Sequence, residues 1–222
     1  MKRRVILSES DLTRMVGRVV ASMLNEATDG RFSTDELNNI PYFKDRVKYC
    51  EKHLGDHIGM GSSRVVFQID DNKVLKLAWN ECGREQNLEE VEWSKKPYTI
   101  FPKVYSYDKD YGDWMISEFV LPADEADFEK CVGIEWKEFV DFMWSIRARW
   151  NPTVGSDYEE WELEKMTQQN PFLKEVERYI EESLVSCADM EVLFNWGLAK
   201  RNGGMPVLLD SGWRNGLEKY YQ

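Results

Sequence analysis

No run of about 18 apolar residues occurs anywhere in the 222-residue chain, so no transmembrane helix is expected. An excess of positive charge is also missing. Lys and Arg number 29 against 40 Asp and Glu, for a formal net charge of -11. That balance argues against a duplex nucleic-acid partner, whose affinity comes from neutralised phosphates, although a local basic patch could still hold a nucleotide. Cysteine is sparse: Cys50, Cys82, Cys131 and Cys187 stand far apart, with no short-spaced pair of the kind that marks zinc or a redox motif. They read as reduced thiols of a cytoplasmic, reducing compartment. No secretory leader is expected either, because Ser8, Glu9, Ser10 and Asp11 interrupt any apolar run after Met1-Lys2-Arg3-Arg4. Neither internal repeats nor low-complexity tracts occur.

What is present points to a globular protein. Hydrophobic residues make up 42% of the chain, with nine Trp, ten Tyr and ten Phe, whereas disordered chains are poor in aromatics. The length suits one sizeable domain or two small lobes, and needs neither metal nor disulfide to build a core.

The pattern changes along the chain. Leu12, Met15, Val16, Val19, Val20, Met23 and Leu24 line one face of a helix spanning Val5 to Ala27, opened by a capping signal at Ser8 and Asp11. Ala27 to Asn39 is polar and reads as a linker. A second helix runs from Tyr42 to Leu54, with Pro41 suited to its first turn and Gly55 as its stop. From Asp56 to Val120 short apolar runs broken by turn residues suggest an antiparallel sheet interrupted by one helix. Val65 to Ile69 and Lys73 to Ala78 flank a tight turn at Asp70-Asp71-Asn72, Gly83 to Ser94 is helical in composition, and strands are expected near Lys103 to Tyr107 and Trp114 to Phe119. After Pro122 the chain turns helical. Phe139, Phe142, Met143, Ile146 and Trp150 form one stripe, and Phe172, Val176, Tyr179, Ile180 and Leu184 another. Val154 to Gln169, between them, is acidic and reads as a mobile segment. Asn195 to Ala199 and Met205 to Leu209 flank a second hairpin turn, Lys200-Arg201-Asn202-Gly203-Gly204.

Several positions could carry chemistry. Gly59-Met60-Gly61-Ser62-Ser63-Arg64 lies between strands, where glycines allow a phosphate to approach the backbone, although a plain glycine hairpin accounts for it equally well. Lys76 sits inside the apolar strand Val74-Leu75-Lys76-Leu77-Ala78, on the face shared by Val74 and Ala78; it either snorkels at an edge or meets an anion. Glutamates between Gly83 and Val91 could pair with it or form a solvated face. A hairpin brings Asn195 and Asp210 together, so the two can offer hard oxygen ligands to one magnesium ion, with phosphates supplying others.

Taken in order, these features resemble the protein-kinase superfamily: a glycine-rich loop, a strand lysine, a helix glutamate, a linker after a buried strand, a metal Asn, then a metal Asp followed by x-Gly. The resemblance implies an α+β, two-lobed minimal protein-kinase-like fold that binds ATP and Mg2+. Its boundaries would be residues 1–27 for an amphipathic N-terminal helix, 28–55 for a linker and helix, 56–120 for the sheet-bearing lobe and 121–222 for a truncated helical lobe. It implies that Gly59, Gly61, Ser62 and Ser63 cover the phosphates and that Val66 and Val74 line the adenine. Lys76 would bond the phosphates with Glu90 as its partner, Ser117 would be the gatekeeper, and Glu118 to Val120 the hinge. Asn195 and Asp210 would hold magnesium, and Asp189 would stand as the catalytic base. VLKLAWNECGREQNLEEVEW and NWGLAKRNGGMPVLLDSGW resemble small kinase-like proteins of bacteriophages and their hosts. The N-terminal RVILSESDLTRMVGRVVASMLNEA resembles a leader recurring on proteins of gut bacteria and their phages, which implies docking to a protein partner or carriage in a phage particle.

The pattern departs from the family in three ways. Arg64 replaces the third glycine of the loop, adding a donor. Asp189 stands six residues before Asn195, where the family places its base five before, and Cys187-Ala188 replaces the usual His-Arg. After Gly212 only ten residues remain in the sequence, Trp213 to Gln222, so no activation segment is expected among them. Two functions therefore compete, a magnesium-dependent phosphotransferase and a pseudokinase that serves as a binding module; a third, a structural or cargo protein with remnant motifs, is disfavoured by the retention of Lys76, Asn195 and Asp210 together.

Overall fold

The computed structural model describes residues 32–151, 153, 155–183 and 187–210. The helix expected over Val5 to Ala27 lies outside the described residues, as do Leu184, Ser211 and Gly212. Chain order begins with α1 (Thr34–Asn38), capped by the Ser33 side chain, which accepts from the Glu36 N–H. This short helix falls inside the stretch expected to be a linker. α2 (Phe43–Leu54) follows, with Tyr42 extended at its N-cap, so Pro41 stands just outside the helix rather than in its first turn.

Next come β1 (Gly59–Met60), β2 (Arg64–Asp70), β3 (Lys73–Ala78), α3 (Glu81–Ser94), β4 (Val104–Tyr107) and β5 (Trp114–Glu118). The β2–β3 turn is as expected: Asn72 N–H donates to Asp70 Oδ1 at 2.7 Å, which fixes a side-chain-closed reversal. The five strands form one antiparallel sheet in the order β1-β2-β3-β5-β4. Because successive side chains alternate faces, the register divides the sheet cleanly. Val65, Phe67, Leu75, Leu77 and Trp114 bury one face, packed with Leu37 and Cys50 from α1 and α2. Val66, Val74, Lys76, Met115 and Ser117 share the other. α3 lies close to the strands because Gly83 has no side chain: a Cβ there would stand 2.2 Å from the Ser63 carbonyl oxygen. Asn80 caps this helix, accepting from Gly83 N–H at 2.9 Å.

The remainder contains β6 (Leu121–Pro122), α4 (Glu125–Val132), α5 (Trp136–Ala148), α6 (Glu160–Gln169), α7 (Pro171–Ser183), α8 (Cys187–Met190), β7 (Trp196–Leu198) and β8 (Pro206–Leu208). The last two strands are the hairpin expected near the C-terminal end, and β6 joins them in a small antiparallel sheet, order β6-β7-β8. α6 occupies most of the segment expected to be mobile. A reciprocal capping box between Glu159 and Glu162 opens it, and Leu163 and Thr167 are buried. The described members of the two apolar stripes are buried as read, except that Trp150 lies past the end of α5 and is exposed. Phe128, Phe139, Phe172 and Trp196 make mutual ring contacts with centroids 4.8 to 6.1 Å apart. Truncating any one of these buried rings to Ala is worth about 3–5 kcal/mol. Among the described residues the fold is therefore α+β with two antiparallel sheets, one backed by α1 and α2 and the other set against a helical, aromatic-rich core.

Candidate functional site

Lys76 is the centre of the site. Strand alternation sets its side chain on the face opposite the apolar core, and packing against α3 leaves it only 8% exposed. Burial of an ammonium group pulls its pKa below the usual lysine range, opposed by the Glu90 carboxylate. Nζ donates to Glu90 Oε2 at 2.6 Å and to the Leu209 carbonyl oxygen at 2.7 Å. Glu90 is itself shared. Its Oε1 accepts from Arg64 Nη1 at 2.6 Å, and the same guanidinium reaches Asn87 Oδ1 at 3.3 Å and, through Nη2, Asp210 Oδ1 at 3.0 Å. Burial alone would draw the Arg64 pKa down; the carboxylates of Glu90 and Asp210 reverse this and raise it.

The C-terminal hairpin delivers the acidic groups. Trp196 pairs with Leu208, and the ladder extends by a bond from Leu209 N–H to the Asn195 carbonyl oxygen at 2.7 Å, so Asn195 and Asp210 are brought to the same end. Asn195 Nδ2 donates to the Asp189 carbonyl oxygen at 2.8 Å. A 3-10 turn over Leu193–Asn195 takes up the chain between Asp189 and β7. Asp189 Oδ2 is buried without a hydrogen-bond partner, and burial, reinforced by the nearby Asp210 charge, pushes this carboxyl up to about 6. Asn195 and Asp210 carry hard oxygen donors of the kind magnesium takes, and two such donors would leave phosphate and water to complete the shell. The orphaned oxygen of Asp189 adds a second carboxyl group in electrostatic reach of Asp210. Among the described residues, no cluster of three or more His, Cys, Asp and Glu is arranged to hold a metal by itself.

The β1–β2 turn sits beside Lys76. Gly59 pairs with Val66, and a Cβ at Gly59 or Gly61 would meet nothing closer than 3.9 Å and 4.0 Å respectively. Local packing therefore does not demand glycine at either position. Gly61 N–H donates to the Arg64 carbonyl oxygen at 2.9 Å. The turn is fastened to the start of α3: the Ser62 carbonyl oxygen accepts from Trp79 Nε1 at 2.6 Å and Asn80 Nδ2 at 3.3 Å, and the buried Ser63 hydroxyl donates to Gln86 Oε1.

The other predicted residues divide into two sets. Val66, Val74 and Ser117 lie on the same sheet face as Lys76, and Ser117, 1% exposed, has a hydroxyl oxygen with no hydrogen-bond partner. Glu118 turns to the opposite face, where Oε2 accepts from Lys103 N–H at 3.2 Å and Arg201 Nε at 2.7 Å. Val120 is buried with Ala199 and Val207. Lys76, Glu90, Asp189, Asn195 and Asp210 are brought together, while the side chains of Ser63 and Glu118 engage protein partners. Sequence reasoning missed Asn87, Gln86 and Arg201. Arg64 was expected only as a donor in the turn. Its signal was there, since it alternates with Val66 and must share the Lys76 face.

No protein-family model and no curated protein matches the chain. Among solved structures, the chain is similar to the streptomycin-ATP-APH(2")-IIa ternary complex, at 16% identity and a TM-score of 0.26. The likeness covers 48% of this chain and spans 38% of that one.

Proposed function

We propose that the chain is a two-lobed, kinase-like protein that binds ATP and transfers its γ-phosphoryl group to a hydroxyl of a protein or small-molecule acceptor. The observation that carries the reading is the Lys76–Glu90 pair, 2.6 Å apart, buried on the sheet face that holds Val66, Val74 and Ser117 and next to the strand end that bears Asp210. A buried ammonium on such a face needs an anion, and Glu90, divided between Lys76 and Arg64, cannot neutralise both, so a polyphosphate that draws Arg64 off Asp210 would meet two cations against one carboxylate.

On this reading residues 56–120 form the nucleotide lobe and 121–222 the second lobe, with the helix at 43–54 backing the sheet and residues 1–27 serving a protein partner. The adenine lies against Val66 and Val74, within reach of the Ser117 hydroxyl, and Gly59 and Gly61 leave the turn open to phosphate. Lys76 holds the phosphates. Asn195 and Asp210 would hold magnesium, which supplies charge neutralisation at the transferring phosphoryl group. Asp189 orients the acceptor hydroxyl and takes its proton. The acceptor oxygen bonds to the γ-phosphorus as the bond to the β-phosphate bridging oxygen breaks, and ADP leaves with that electron pair. A carboxyl held near 6 suits a proton acceptor at neutral pH.

One observation favours a second reading, a pseudokinase that binds nucleotide without transfer: Arg64 already occupies Asp210 Oδ1. Calorimetric titration of ATP with magnesium into wild type and Lys76→Ala tests binding; loss in the variant supports the site, and no binding by wild type at millimolar ATP sinks both readings. Phosphotransfer abolished by Asp189→Ala favours the enzyme. Tight binding with no turnover on any acceptor favours the binding module.

A further inference from the structure

The kinase resemblance predicts a small residue where Arg64 stands, and what the chain does with the arginine is specific. Arg64 is 7% exposed, and its guanidinium joins Glu90 on α3 to Asp210 beyond β8. Lys76 and Glu90 would cancel as a pair, so Arg64 adds one positive charge to the floor of the site, and Asp210 balances it. A divalent cation settling on Asp210 would therefore be set beside the Arg64 guanidinium, and the two like charges would repel, with partial solvent screening because the Asp210 side chain is 44% exposed. A phosphate, by contrast, would meet a planar fork anchored through Nη1 to Glu90 and Asn87. The three contacts use only the two terminal nitrogens of a group with five N–H donors.

Resting on the nucleotide-binding reading above, we propose that Arg64 is the resident cation of this site: it neutralises nucleotide phosphate directly and supplies part of what magnesium would otherwise supply. Asp210 is then shared. It holds Arg64 in place when no cation is bound and releases the guanidinium toward phosphate when one is. Nucleotide binding in this protein consequently persists without a metal.

The test is calorimetric titration of ADP and ATP, each with EDTA and with magnesium chloride, into wild type, Arg64→Gly and Arg64→Lys, with thermal melts to confirm folding. Wild type should bind in EDTA within about tenfold of its magnesium affinity. Arg64→Gly should lose about tenfold to a hundredfold of the EDTA affinity, the worth of a charge-assisted phosphate contact, and less of the magnesium affinity. The gap between buffers widens in that variant. Arg64→Lys, which keeps the charge but cannot fork between Glu90 and Asp210, should fall between them, and it carries the comparison if the glycine variant does not fold. An unchanged gap between buffers in the variants overturns the role of Arg64 while leaving nucleotide binding intact. Tighter metal-free binding in Arg64→Gly overturns it equally, since Arg64 would then be an obstruction. Wild type binding in neither buffer removes the nucleotide reading itself, and the inference with it.

Discussion

Arg201 at the tip of the second hairpin donates through Nε to Glu118 Oε2 at 2.7 Å, although the two residues lie 83 positions apart. The same guanidinium reaches the carbonyl oxygen of Phe101. It thus straps the small β6-β7-β8 sheet to the last residue of β5, where the chain leaves the larger sheet. Glu118 is buried and Arg201 about a third exposed, so the pair sits between the weak surface case and the costly buried one. Arg201→Ala should destabilise the protein by about 1–3 kcal/mol. A double-mutant cycle with Glu118→Gln, read by urea melts, should return a coupling of about 1 kcal/mol. Additive effects of the two substitutions would mean that the strap carries no energy.

Glu90 and Lys76 should respond differently to removal. Glu90 satisfies both Lys76 and Arg64, so Glu90→Ala strips a shared anion from two buried cations and should cost about 3–5 kcal/mol. Lys76→Met leaves Glu90 on Arg64 and fills the space with an apolar chain of similar length. Its stability should stay within about 1 kcal/mol of wild type, while ATP binding is lost. Chemical denaturation of both variants checks this ordering; equal destabilisation would show that Arg64 does not sustain Glu90 alone.

How much of this was readable beforehand depends on how local the signal was. The β2–β3 hairpin was legible because Asp70 and Asn72 close their own turn, and the buried stripes of α5 and α7 because their periodicity is that of a helix. α1 is five residues long, too short for any period to appear. α6 was taken for a mobile acidic segment because glutamates dominate it. Its order comes from the Glu159–Glu162 capping box and from Leu163 meeting a core assembled by distant helices. The site divides along the same line. Lys76, Asn195 and Asp210 stand in recognisable local settings. The Arg64–Asp210 contact spans 146 positions and exists only once both sheets are docked, so no local pattern announces it.

Acid should weaken the larger sheet through Asp113. Burial tends to raise its carboxyl pKa, but Arg46 Nη1 at 2.5 Å and Arg84 Nε at 2.6 Å outweigh that and hold it below the usual aspartate value. A folded pKa below the unfolded one makes the carboxylate stabilising above about pH 4, with that stability lost as pH falls through the lower, folded value. Asp113→Asn should therefore cost about 1.5–3 kcal/mol at pH 7 and nearly as much at pH 5. The difference from wild type should shrink toward pH 3. Melts at those three pH values decide it, and a gap that persists undiminished in acid would rule out the ion pairs as its source.

The cysteines should react in an order set by burial. Cys50 and Cys187 are buried and removed from water, which pushes both thiols up to about 12 and leaves almost no thiolate at neutral pH. Cys82 is buried against the sheet, and Cys131 alone is partly exposed. Iodoacetamide at pH 7.5 should therefore label Cys131 first, with the other three modified only at the rate at which the protein opens. Peptide mass mapping over a time course reads this directly. Adding urea below the unfolding midpoint should accelerate Cys50 and Cys187 and leave Cys131 nearly unchanged, because only the buried thiols wait on an opening event. If Cys50 were labelled as fast as Cys131 in native buffer, α2 would not be held on the sheet by the cluster of Leu37, Phe67 and Leu75 that encloses it.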